Sequence, residues 1–272
     1  MPWTSLHLRW LVDTGERLRT TDGKIVEVWE FKPEKDNAVF SAWARHIRNH
    51  YCPDCEIDLL RADTGLSREQ YLSQLIFPSI SNPPGPSIRA GDFAEILVAD
   101  FLEFFLHFWV PRFRYDEKAV RNESIKGVDI LGFRFVGQQE TPNDTLAIFE
   151  AKARLTGRSR KNKLQEALDD SAKDFNVRKA LSLNALKRRL IRAGKRIDAQ
   201  RVQRFQNSAD HPYIEISGAA ALLSTDAFDS HVLSSTDASS HPNSTALRLL
   251  VIRGRQLMPI VHELYRRAAH EA

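Results

Sequence analysis

Gly127-Val-Asp-Ile-Leu-Gly-Phe133 and Leu146-Ala-Ile-Phe-Glu-Ala-Lys-Ala153 are the stretches on which the reading of this 272-residue chain turns. Both are apolar runs of strand length, separated by Gly, Pro, Asn and Asp. Side chains alternate along a strand, so Glu150 and Lys152 share one face, and Asp129 is a lone carboxylate in an otherwise apolar run. Charges are costly in such positions unless they pair or bind something. If the two runs are neighbouring strands, Asp129 and Glu150 converge at one end of the pair. Their repulsion there favours a hard divalent cation with a preference for oxygen. Lys152 is then placed to orient or deprotonate an attacking water and to offset charge on a phosphate.

Upstream, Asp92 is placed to cap a helix that runs to about Phe108 and stops at Pro111. At 100° per residue, Asp92, Asp100, Glu103 and His107 gather on one polar stripe. Glu95 lies off it, beside Ala99, Leu102 and Leu106, and is misplaced unless it reaches into a site. Arg112–Tyr115 reads as extended, and its arginines with Lys118 are either phosphate contacts or edge-strand residues. Downstream, a basic helical region spans about Lys163–Phe205, with breaks near Phe175–Arg178 and Gly194. A short strand at Tyr213–Ile216 follows, then a Ser/Thr/Asp/Ala-rich surface excursion over 224–245. The last elements are a strand, Leu247–Arg253, and a core-packing helix, Leu257–Ala268. This order predicts an α/β chain with a mixed sheet (α+β in arrangement), not a parallel doubly wound one.

The Pro-rich segment Phe77–Pro86 interrupts both helix and strand. It is expected to divide an N-terminal α+β module (1–80) from a larger domain (86–272). The first module has strand-like runs at Leu6–Val12 and Ile25–Phe31 and a helical run with Val39, Phe40, Trp43 and Ile47. In it, His46, His50, Cys52 and Cys55 offer four zinc-type ligands in ten residues, though closer together than a tetrahedral structural site usually has them. A histidine-bearing helix end followed by a Cys-Pro turn is the simpler reading.

A composition of 42% hydrophobic and 27% charged residues excludes disorder as the dominant state. Two cysteines make no disulfide framework, and no secretory signal is visible, so a cytoplasmic location is expected. Phe93–Val110 is interrupted by Glu95, Asp100, Glu103 and His107 and is not a membrane span. The net charge of +4 hides an asymmetry: residues 151–206 hold 17 of the 39 Lys and Arg but 5 of the 35 Asp and Glu. A basic block on an acidic body suits a polyanion. The candidate DNA contacts are Arg158, Arg160, Lys161 and Lys163, then Lys187, Arg188 and Arg189. Asp169, Asp170 and Asp174 read as bonding the basic residues or a partner protein, without chemistry of their own.

Gly-x-Asp, a strand ending in Glu-x-Lys and a Glu on the preceding helix resemble the PD-(D/E)XK nuclease superfamily. Glu95, Asp129, Glu150 and Lys152 match its active-site positions, with Val128 where proline is common. More narrowly, Arg89-Ala-Gly-Asp-Phe-Ala-Glu95, Asn122-Glu-Ser-Ile-Lys-Gly-Val-Asp129, Phe149-Glu-Ala-Lys152 and Asp170-Ser-Ala-Lys-Asp174 resemble the HamA family of Hachiman anti-phage systems. Trp43-Ala-Arg-His-Ile-Arg-Asn-His-Tyr51 adds to the likeness. The resemblance implies a restriction-endonuclease-like core and a Mg²⁺- or Mn²⁺-dependent DNA nuclease with Asp129, Glu150 and Glu95 at the metal. It also implies Gln165 as a polar helper, and a HamB-like superfamily 2 helicase as the restraining partner. The alternative is an inert nucleic-acid-binding or regulatory subunit of a helicase complex, against which the intact Asp–Glu–Lys set weighs.

Overall fold

The structure, a computed structural model, describes residues 3–116, 118–158 and 161–272. Its strands are β1 (Leu11–Arg19), β2 (Ile25–Phe31), β3 (Ile130–Arg134), β4 (Thr145–Arg154), β5 (Ile214–Ser224) and β6 (Leu247–Gly254). They form one six-stranded sheet in the order β1-β2-β6-β5-β4-β3. The inner pairs, β2–β6, β6–β5 and β5–β4, are parallel, and the outer pairs, β1–β2 and β3–β4, are antiparallel. The mixed sheet expected from the element order is therefore present.

The helices are α1 (Asn37–Tyr51), α2 (Ile57–Leu60), α3 (Arg68–Tyr71), α4 (Gly85–Asp100), α5 (Lys163–Lys173), α6 (Lys179–Arg192), α7 (Arg196–Gln203), α8 (Ser230–Ser234) and α9 (Leu257–His270). Asp36 caps α1 by accepting from the N–H groups of Ala38 and Val39, and Val39, Trp43 and Ile47 then fall on its buried face. Asn162 caps α5 in the same way through Leu164 and Gln165. One sheet face, with Phe149, Ala151, Ala220 and Leu250, packs against α1, α4 and α9. On the other face, Ala219, Ala221 and Val251 meet α5, while Leu146 and Ile148 meet α6 and α7. Helices thus cover both faces, and β4 has its even-numbered residues on the α5 side.

Several boundaries differ from the sequence reading. Leu6–Trp10 is a 3-10 helix leading into β1, not strand. The short strand expected at Tyr213–Ile216 is the start of the eleven-residue β5, whose Gly218-Ala-Ala-Ala run lacks the β-branched signal. Helix α4 starts at Gly85, so Asp92 is a buried mid-helix residue and no cap. Arg112–Tyr115 is an irregular loop. The division at 77–86 is not a break in packing: β2 bonds to β6, and α1, α4 and α9 share one hydrophobic cluster. The Pro-rich segment turns the chain within a common core.

Gly218 sits in register with Phe149, the residue before Glu150. A Cβ at 218 would lie 2.3–2.4 Å from three carbons of the Phe149 ring. Only glycine gives that buried ring its place, and the ring anchors the strand that carries Glu150. Gly218→Ala should destabilise the protein by about 1–3 kcal/mol through overpacking. Urea unfolding checks this; a midpoint equal to that of the wild type would contradict it.

Candidate active site

Ile130 pairs with Phe149 across the antiparallel β3–β4 ladder, which puts Asp129 directly opposite Glu150. The two are laced together: the Asp129 N–H donates to Glu150 Oε1 at 3.2 Å, and the Ala151 N–H donates to Asp129 Oδ2 at 3.2 Å. Gly127, at φ +109°, makes the bend that starts this strand, and the Val128 N–H donates to Ser182 Oγ on α6. Lys152 Nζ is 3.3 Å from Glu150 Oε2 and 2.8 Å from Asp170 Oδ2. Glu95, Asp129, Glu150 and Lys152 all line one open cleft of about 1070 Å³, together with Arg114 and Asp170. The four residues singled out in the sequence are gathered in one place.

Glu95 reaches the cleft from the opposite side of the sheet and already has partners. Its Oε2 accepts from Arg114 Nε at 2.8 Å and from the Tyr115 hydroxyl at 2.6 Å. Arg114 also donates to Asp129 Oδ1 at 2.7 Å and to the Val128 carbonyl at 2.5 Å. Arg114 is therefore not an edge-strand residue; it bridges two acids at the wall of the cleft. The expected polar stripe on α4 is likewise an internal surface. Asp92 accepts from Tyr51 and Lys118, and Asp100, fully buried, accepts from Arg112 and contacts His7 and His46.

The HamA family model matches residues 6–268. The chain belongs to the HamA family. A HamA-family protein is a subunit of the Hachiman defence system. No curated protein matches the chain.

The basic residues of this HamA-family chain divide between cleft and periphery. Lys126, Arg114, Lys152 and Arg178 line the cleft. Arg158 and Lys161 are exposed on the loop after β4, Lys163 pairs with Glu166, Lys187 donates to Gln206, and Arg189 donates to the Phe113 carbonyl. Arg188 is exposed on α6, and Arg160 lies outside the described residues. Gln165 is not at the cleft: its amide bonds Asp169 and the Asp237 backbone, tying α5 to a neighbouring loop. Asp170 and Asp174, one turn apart on the α5 side, do pair with basic residues as expected: Asp170 with Lys152 and Lys173, and Asp174 with Arg178.

The four-ligand zinc arrangement does not form among the described residues. Cys52 is buried, Cys55 is exposed, and the group with metal-like spacing is His46, His50 and Asp100. Two members of that group, His46 and Asp100, are already engaged by protein partners. The Thr4 N–H donates to His46 Nδ1, which leaves His46 Nε2 to donate to Asp100, and the Arg112 guanidinium holds the same carboxylate oxygen. A ligating imidazole would donate through its outer nitrogen, not accept there.

The cleft is different, because burial raises three of its acids out of the usual carboxylate range. Burial pushes Asp129 up to about 8, with the Glu150 charge adding to it. Burial and then contact with Asp174 push Glu150 to about 8. Burial raises Glu95 to about 7 against the pull of Arg114. Burial works against the charge of Lys152, but Asp170 and Glu150 outweigh it and hold the ammonium protonated. Hard oxygen donors held in this way fit a divalent cation such as Mg²⁺ or Mn²⁺, with Asp129 and Glu150 nearest. At Asp129 and Glu150 the folded protein binds more protons than the unfolded chain between about pH 4 and pH 8, so the stability these two groups contribute falls as pH rises through that window. His7, His50, His241 and His262, lowered by burial, act in the opposite sense below about pH 6.5. In chelator, thermal melts of the wild type and of Asp129→Asn should therefore diverge, the wild-type Tm falling relative to the variant's from about pH 5 to pH 8. A Tm difference that stays constant over that range would refute the assignment.

Proposed function

We propose that this HamA-family chain is a metal-dependent DNA nuclease, restrained by and working with a superfamily 2 helicase. The observation that carries the reading is the juxtaposition of Asp129 and Glu150 on opposed strands, with the Lys152 ammonium in the same cleft. Asp129 and Glu150, with the Ala151 carbonyl, would hold the cation. When bound, it would acidify a water and neutralise charge on a phosphodiester.

The protein's own groups supply the rest. Lys152, kept protonated by Asp170 and Glu150, orients the attacking water and donates to a phosphate oxygen as charge builds there. Glu95 acts through Arg114, fixing the guanidinium against Asp129 so that this carboxylate cannot swing away. The cleft is open, and Lys126 and Arg178 at its walls give a polyanionic backbone a path past Glu150. The product expected is a 5′ phosphate. The basic surface outside the cleft, at Arg158, Lys161, Lys163, Lys187 and Arg188, would meet either DNA or an acidic face of the helicase. No described helix is long and apolar enough to cross a membrane.

The test is incubation of the chain, alone and with its neighbouring helicase and ATP, with supercoiled plasmid and Mg²⁺. Nicking or linearisation should be lost by at least about a hundredfold in Glu150→Ala and Lys152→Ala, with the far-ultraviolet dichroism unchanged. Native-rate cleavage by a folded double variant would overturn the proposal. Release by chelator of a protein that still binds DNA in a salt-sensitive way would agree with it.

A further inference from the structure

Asp174 opens a π-helical segment, Asp174–Arg178, between α5 and α6. Its side chain is fully buried, and its Oδ2 has no hydrogen-bond donor. Arg178, the cation paired with it, stands 3.4 Å from Oδ1 and is itself 39% exposed. On its other side Asp174 lies within hydrogen-bonding reach of the Glu150 carboxyl. Two carboxylates in contact in a buried setting repel unless a proton or a cation lies between them. Glu95, the third acid suggested by the sequence, is covered by Arg114 and Tyr115 from the far side of the sheet.

We propose that Asp174 is the third carboxylate of the cation site, closing from the α5 side the set that Asp129 and Glu150 begin. The inference rests on the reading of the cleft as a metal-dependent site and assigns it a ligand. The helical turn from 170 to 174 then serves both members of Glu-x-Lys. Asp170 holds the Lys152 ammonium at 2.8 Å, and Asp174 faces the Glu150 carboxyl. The π-helical step shifts the register of the helix after α5, a local irregularity found often at functional sites. A hard oxygen donor without a hydrogen-bond partner, aimed at a second one, is what a divalent cation would use.

The experiment is Mn²⁺ titration of the full chain by calorimetry, paired with thermal melts in chelator and in Mn²⁺. Asp174→Asn keeps the shape and gives Glu150 a donor. It should weaken Mn²⁺ binding by about tenfold or more. In chelator at pH 8 it should melt at or above the wild-type temperature, because a repulsion is replaced by a hydrogen bond. A merely structural role would instead lower that melt and leave Mn²⁺ affinity alone. Asp174→Ser, smaller and also able to donate, serves if the Asn variant does not fold. Wild-type binding with unchanged affinity in the folded variant overturns the role of Asp174 alone. No Mn²⁺ binding by the wild type overturns both this inference and the metal-dependent reading beneath it.

Discussion

The inward face of α4 carries three acids, and the loop after it carries three bases that meet them in reverse order. Arg112 holds Asp100, Arg114 holds Glu95, and Lys118 holds Asp92. Helix and loop are thereby fastened antiparallel, as two edges would be by a row of clasps. Buried pairs of this kind add little net stability over apolar packing, but loss of one partner strands a charge at a cost of about 3–5 kcal/mol. Their value is registration. With Arg112 and Lys118 fixed, Arg114 falls against Asp129, and the start of β3 has one position relative to β4.

This arrangement also explains which parts of the molecule were legible in the sequence. Glu150 and Lys152 were readable because a strand has a simple period and a charge inside an apolar strand is conspicuous. Asp129 was readable for the same reason. Glu95 was found as a misfit on a helical face, but its partner was not, because Arg112–Tyr115 has no period to read and its arginines resemble any surface pair. The polar stripe of Asp92 and Asp100 was visible on the helix, but the loop whose bases bury it was not. β5 was cut short because its alanines carry no strand propensity; small residues are needed there to let helices approach the sheet from both sides. The Pro-rich segment looked like a linker because proline reports local backbone geometry and says nothing of the packing around it.

The two faces of β4 divide the labour. Odd-numbered residues, with Phe149 and Ala151, bind the strand to α4 and the main core. Even-numbered ones present Glu150 and Lys152 to α5. Asp129 and Glu150 each accept from a main-chain amide of the ladder, which ties their positions to the strands as well as to the side chains around them. Rigidity of this sort is what places charged groups to act on a charge that develops between them.

The strand order has a consequence in time. β6, the sixth strand in chain order, lies between β2 and β5, so the first hairpin has no place to attach until residues 247–254 leave the ribosome. At ordinary rates of elongation this is roughly 5–20 s after Lys152 is made. Until then the nascent polypeptide holds its acids on a sheet with an open inner edge, and α9, which closes the core around α4, does not yet exist. A cleft built on this topology is completed late, only once β6 and α9 have both been made.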